Sequence, residues 1–142
     1  MTRVEPGMTM HNWNDNQLHA PQYSYRPFFL GNADGDPANI NYVRMEPHQR
    51  APRHAHAGWT MNVVLAGGCL MGEHPMKSGD VLICEPGIQY GPIVPGPEGV
   101  TLLEIFDKVS GLPITWDNPD DPAVLAIVEW QQANMPPMPG DE

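Results

Sequence analysis

The sequence predicts an all-β domain with a single core, and three observations predict it. Seventeen prolines and fourteen glycines among 142 residues, with only seven Lys+Arg, divide the chain into many short segments separated by turns. Between the turns stand runs of strand length and strand composition, at residues 40–45, 60–65, 81–84 and 100–106. A chain of this length is also long enough to bury most of its apolar surface in one domain.

Charge and cysteine usage narrow the setting. Seven Lys+Arg against seventeen Asp+Glu give a formal net charge of -10, the wrong sign for nucleic acid or an anionic membrane surface, so neither is an expected partner. No run approaches the roughly 20 apolar residues of a membrane span. Cys69 and Cys84 make no disulfide framework, and the N-terminal stretch lacks the basic head and apolar core of a signal peptide. The expected setting is the cytoplasm.

Residues 1–22 are polar, hold His11 and His19, and show no sustained period; they read as an arm in which Trp13 needs an apolar surface such as a partner subunit. Residues 23–30 are aromatic and strand-like, with Pro27 limiting them to an edge or a bend. Asn32-Ala33-Asp34-Gly35-Asp36 is a turn; it shares Asp, Asn and Gly with calcium loops but lacks their closing acidic residue. Residues 40–45 alternate as a strand with one wet face, and a bend over residues 47–52 carries His48. Residues 60–65 form a strand that Gly67-Gly68 ends in a turn. Short pieces at 69–71 and 74–76 flank Gly72-Glu73, Gly79-Asp80 turns, 81–84 is a buried-type strand, and 92–99 is a Pro/Gly loop before the long strand at 100–106. Asp121-Pro122 is a helix start, with an acidic N-cap and proline at the first position, and residues 123–134 follow without Gly or Pro. The expected organisation is an arm at 1–22, a β-barrel at 23–108, a C-terminal segment with the helix at 109–134, and a flexible tail at 135–142.

The chemistry gathers at Arg53-His54-Ala55-His56-Ala57-Gly58-Trp59-Thr60. Two histidines one residue apart project to the same side only from extended backbone, because side chains alternate across a strand. His54 and His56 are therefore expected on a strand or its start, aimed into one cavity as a metal site requires.

With His54-x-His56, a glycine-rich turn about ten residues later, Gly79-Asp80 and Pro86-Gly87, the stretch of residues 40–108 resembles the two motifs of the cupin superfamily. The phrase from Glu73-His74-Pro75-Met76 through Gly79-Asp80-Val81 and Glu85-Pro86-Gly87 to Gly99-Val100-Thr101-Leu102 is loosely similar to ChrR-type and dihydroxyacetophenone dioxygenase-like cupins. The resemblance implies a cupin jelly-roll β-sandwich closed like a barrel, here with a short C-terminal helix, and commonly a homodimer. It also implies a divalent metal, Fe, Mn, Ni, Cu or Zn, held by three His and one Glu at the mouth. Carried over by position, two ligands fall on His54 and His56, while the glutamate falls on Thr60 and the last histidine on Tyr90. A hydroxyl is a poor ligand, and Tyr90 binds well only as phenolate, from a reference pKa near 10.

Three readings stay open. In the first, His54 and His56 hold a metal with help from Tyr90, Gln89, or another cavity residue such as His48 or His74. In the second, the metal is lost and a histidine is general acid or base, with Tyr90 donating a hydrogen bond to a substrate carbonyl. In the third, the domain binds or senses a small molecule without chemistry. Glu104 shares a strand face with Leu102 and Phe106; if that face lines the cavity it is a substitute carboxylate ligand, otherwise a solvated charge. Trp59, Thr60 and Met45 are candidates for a substrate pocket, with Met61, Met71 and Met76 as further apolar lining, and the two cysteines read as small buried hydrophobes. The leading expectation is a metal-dependent enzyme of the dioxygenase, lyase or isomerase kind acting on one small organic molecule, with catalytic His54, His56 and Tyr90.

Overall fold

The computed structural model describes residues 2–141. Its scaffold is an antiparallel sheet of seven strands: β3 (Leu18–Ala20), β4 (Tyr23–Leu30), β5 (Ala38–Met45), β7 (Thr60–Met71), β8 (His74–Lys77), β9 (Val81–Cys84) and β10 (Ile93–Phe106). Its order is β3-β4-β5-β10-β7-β8, with β9 also paired to β7. A second layer is the pair β6 (His54–His56) and β11 (Ile114–Trp116), tied to the rest through bridges Ala51↔Ile93 and His54↔Tyr90. The expected all-β class with one short C-terminal helix is the class observed.

The two longest strands decide how the sheet curls. Gly67-Gly68 does not end a strand, as the sequence suggests; β7 runs through it for 12 residues. Gly67 sits at φ +69, and a Cβ there would stand 2.1 Å from the Gly99 carbonyl oxygen, so the glycine makes a bulge where two backbones touch. The stretch 92–99, expected as a loop, likewise belongs to β10, whose register against β7 shifts between Pro95 and Val100. These irregularities divide the ribbon: Thr60 to Val63 of β7 pair with β9, and Gly68 to Met71 pair with β8.

Period-2 alternation puts Val100, Leu102 and Phe106 of β10, Val64 of β7 and Met45 of β5 inside. The barrel is capped by α1 (Pro122–Asn134), which begins as its sequence signals: Asp121 accepts from the Ala123 amide at 2.9 Å and Pro122 occupies the first turn. Val124 and Ile127 turn fully inward, and Trp130 packs edge-on against Tyr25. Within residues 1–22, β1 (Thr2–Glu5) and β2 (Met8–Met10) form a hairpin exposed at every position. Trp13 stacks on Tyr42 of the same chain at 4.2 Å. Cys69 and Cys84 are buried free thiols, pushed up by burial. No described helix is long and apolar enough to cross a membrane.

Gly67 and Gly79 separate two costs. Gly79, at φ +93 with open space around it, should lose only the conformational term on Gly79→Ala, about 1–2 kcal/mol. Gly67→Ala adds the collision with Gly99 and should cost clearly more, about 3 kcal/mol or above. Urea unfolding of both variants checks this, and equal losses would show that the bulge relaxes freely.

Candidate functional site

His54 and His56 lie on β6, one residue apart, and both face inward with 6% and 7% exposure. β11 holds the strand on one side through Trp116↔His54 and Ile114↔His56, and Tyr90 exchanges two backbone hydrogen bonds with His54 on the other. The two rings stand 5.0 Å apart, and the Tyr90 and Trp116 rings flank His54 at 4.6 and 5.3 Å. His54 Nδ1 donates to the Pro52 carbonyl at 2.7 Å, and His56 Nδ1 to the Leu112 carbonyl at 2.9 Å. A carbonyl only accepts, so each Nδ1 carries the hydrogen and each Nε2 is left with a lone pair. Burial lowers both pKa values, which keeps the imidazoles neutral; for His54 the neighbouring His56 adds to this, while Pro52 and Glu104 oppose it.

A polar rung crosses the sheet beside them. Glu104 of β10 pairs with Asn41 of β5 on one side and Asn62 of β7 on the other, and all three sit on the inward face. Asn41 Nδ2 donates to Glu104 Oε1 at 3.3 Å. Burial raises the Glu104 carboxyl above its ordinary range, with His54 and Asn41 pulling the other way. Asn62 is 0% exposed, with the Tyr90 hydroxyl against its amide. The buried Tyr90 hydroxyl faces it, and burial together with Glu104 pushes that phenol well above its usual value.

The two histidines and Glu104 line a cavity of about 60 Å³ walled also by Met45, Trp116 and Ile127. His56 and Glu104 also line an outer cavity of about 170 Å³ that reaches Pro136, Pro137 and Met138 of the tail. The conditional reading of Glu104 is thereby resolved: its face lines the cavity. The other sequence candidates disperse. Tyr90 turns its ring to a separate open groove of about 720 Å³ that it shares with Gln89 and His74. Gln89 spends its amide on the Thr115 carbonyl at 3.1 Å, outside the histidine cavity. Thr60 is buried between its partners Phe106 and Cys84 and does not reach the cavity wall. Trp59, expected near a ligand, is 45% exposed because the chain bends outward after His56, and His48 is exposed too. The aromatic residue against His54 is instead Trp116, and the polar residues around Glu104 are Asn41 and Asn62. The signal for the asparagines was alternation: Asn39, Asn41, Val43 and Met45 share one face of β5.

The donor set does not complete a metal site. His54 and His56 present suitable nitrogens, but among the described residues no three His, Cys, Asp or Glu side chains come together to hold an ion. The Tyr90 phenol, pushed up, is far from the phenolate that would bind one.

No family model matches the sequence, and no curated protein matches it. Solved structures do. Rhodobacter sphaeroides SigE in complex with the anti-sigma ChrR aligns at TM-score 0.56 and 17% identity, over 65% of this chain and 48% of that one. The DMSP lyase DddQ from Ruegeria pomeroyi aligns at 0.55 and 17%, over 68% of this chain and 53% of that one. A salicylate 1,2-dioxygenase from Pseudoaminobacter salicylatoxidans in complex with gentisate aligns at 0.56 and 14%, over 70% of this chain and 30% of that one. The chain therefore spans about half the length of the first two or less than a third of the last. At these identities the likeness establishes the fold.

The neutral imidazoles make stability depend on pH with a definite sign. Their folded pKa values lie below the ordinary 6.5, so their contribution is complete above that range and is lost as pH falls, when the unfolded chain takes up protons. Glu104, raised from 4.5, acts oppositely, contributing at low pH and losing that contribution as pH rises through its folded value. The urea midpoint should fall between about pH 7.5 and about pH 5.5, and fall less in a His54→Gln/His56→Gln variant. Parallel curves would overturn the assignment of neutral imidazoles.

Proposed function

We propose, on the premise that the chain has the cupin fold, that its barrel cavity is the site of a small-molecule enzyme working by proton transfer, of isomerase or lyase type. One observation carries the reading. Two buried polar atoms that line the cavity with Glu104 lack a partner, His56 Nε2 and Asn41 Oδ1, and the Asn62 amide lies on the same rung against the Tyr90 hydroxyl. Each such atom costs about 1–3 kcal/mol, so a fold that keeps them together is holding them for a guest that completes them.

The roles follow from protonation. His56 Nε2, free and neutral in the wall common to both cavities, is the general base that takes a proton from a substrate C–H. Tyr90, held protonated, lines the neighbouring groove and supports the site from behind, through its contact with the His54 ring and with Asn62. Glu104, the one acidic side chain lining the two cavities, interacts with His54 and steadies positive charge that develops on the histidine pair. The proton then returns to a neighbouring carbon in an isomerisation, or to the leaving group in an elimination. Among the described residues no third donor joins His54 and His56 to hold an ion, and the side chains themselves carry the proposed chemistry. The small organic molecule is the partner of this site; a homodimer belongs to the same proposal, with the exposed β1–β2 hairpin as the segment a second copy covers.

With a substrate in hand, His56→Gln should lower turnover by about 10²–10⁴-fold, read as solvent deuterium incorporated into the product by NMR. Prolonged chelation should leave the wild-type rate unchanged. Near-stoichiometric metal in protein purified without added ions or a His tag, lost in His54→Ala/His56→Ala, would overturn the metal-free mechanism.

A further inference from the structure

The charge inside the barrel is one-sided. The inner and outer cavities meet at Glu104, and neither is lined by a single Lys or Arg. The histidines there are neutral and offer lone pairs, because both Nδ1 hydrogens are committed to backbone carbonyls. Asn41 gives an amide hydrogen to Glu104, which leaves its own Oδ1 as a buried acceptor without a partner. Around these acceptors stand aromatic rings: Trp116 at the deep end, and Tyr23, Tyr25, Phe29 and Phe106 toward the tail. A carboxylate or phosphate guest would meet a buried carboxyl and a set of acceptors with no cation to offset its charge. A guest that carries positive charge supplies what Glu104 lacks and is attracted by the ring faces as well.

We propose that the ligand of this cavity is a small organic ammonium with an apolar or aromatic body. The inference rests on the cavity being the substrate site and names the class of molecule it takes. The ammonium hydrogens meet the Glu104 carboxylate and Asn41 Oδ1, which leaves the His56 Nε2 lone pair for the substrate C–H. The hydrocarbon part lies outward against Tyr25, Phe29 and Met138, in the larger cavity. Burial supports the same reading: a carboxyl pushed up by desolvation returns to its ionised form when a cation is placed beside it.

Three probes of one shape and different charge test it: benzylamine, benzyl alcohol and benzoate, each added to the full-length wild-type protein and followed by thermal unfolding. At about 10 mM, benzylamine should raise the melting temperature by about 2–4 °C, benzyl alcohol by less, and benzoate not at all. In Glu104→Gln the benzylamine shift should fall to that of benzyl alcohol, which separates pairing at this site from general attraction to an acidic protein. A benzoate shift equal to that of benzylamine, no benzylamine shift, or a benzylamine shift unchanged in Glu104→Gln would each overturn the proposal. The wild-type comparison stands even if the variant fails to fold. Because binding is read without turnover, benzylamine pairing with Glu104 in a protein that transfers no proton would sink the enzyme reading alone.

Discussion

The interior depends on two hydrogen bonds, from His54 Nδ1 to the Pro52 carbonyl and from His56 Nδ1 to the Leu112 carbonyl. They settle which nitrogen of each ring faces the cavity, and with it whether the cavity accepts or donates hydrogen bonds. The first is local, two residues back along the chain. The second spans 56 residues and needs the segment before β11 to pass close to the end of β6. Gly58 and Gly111 make that approach: a Cβ on either would stand 2.8 Å from the other's Cα. Their contact carries the Gly58 amide to the Gly111 carbonyl and the Ala57 amide to the Pro113 carbonyl, each at 3.0 Å, and so sets Leu112 over His56. Two residues with no side chain thus orient a ring that has one.

Around that point the barrel combines two opposed demands. Its wall is apolar and closely packed, with Met45, Val64, Val100, Leu102 and Phe106 almost wholly out of water. Within the same wall the rung Asn41–Glu104–Asn62 places amides and a carboxyl where apolar side chains would be cheaper. Replacing such groups with hydrocarbon is often neutral or stabilising in a core, so their presence is best explained by function. The helix contributes to this balance. Ile127 closes the inner cavity with hydrocarbon, and Gln131, one turn further, hydrogen-bonds the Tyr23 phenol at the outer one.

Much of the scaffold was legible in the sequence because its signals are local. Asp121-Pro122 states a helix start in two residues, and the alternation of residues 100–106 states a strand and which of its residues share a face. The glycines misled for a physical reason. Gly67 has the left-handed backbone of a turn residue, yet the chain does not reverse there, because Gly99 of the neighbouring strand occupies the space a side chain would need. A close approach between residues 32 apart leaves no local trace. The site divided along the same line. His54-x-His56 announced itself through spacing, whereas the neighbours of Glu104 are set by cross-strand register with residues 63 and 42 positions away. Trp59 was the nearer tryptophan in sequence, and Trp116, opposite His54 on β11, is the nearer one in space.

The two positions where the motif departs from the pattern it resembles acquire a common meaning inside this barrel. Thr60 is packed between β9 and β10 and gives the cavity no charge, where that pattern would put a second carboxylate. Tyr90, where the pattern would put a third imidazole, holds a protonated phenol against Asn62 and lines the neighbouring groove instead. Both changes remove electron-pair donors suited to a cation of small radius and high charge. What stays is one carboxyl and two imidazole lone pairs, spread over a cavity walled by aromatic rings. On the proposed reading, that set takes a larger, weakly hydrated monovalent head that keeps its own hydrogens and is held by acceptors and ring faces together.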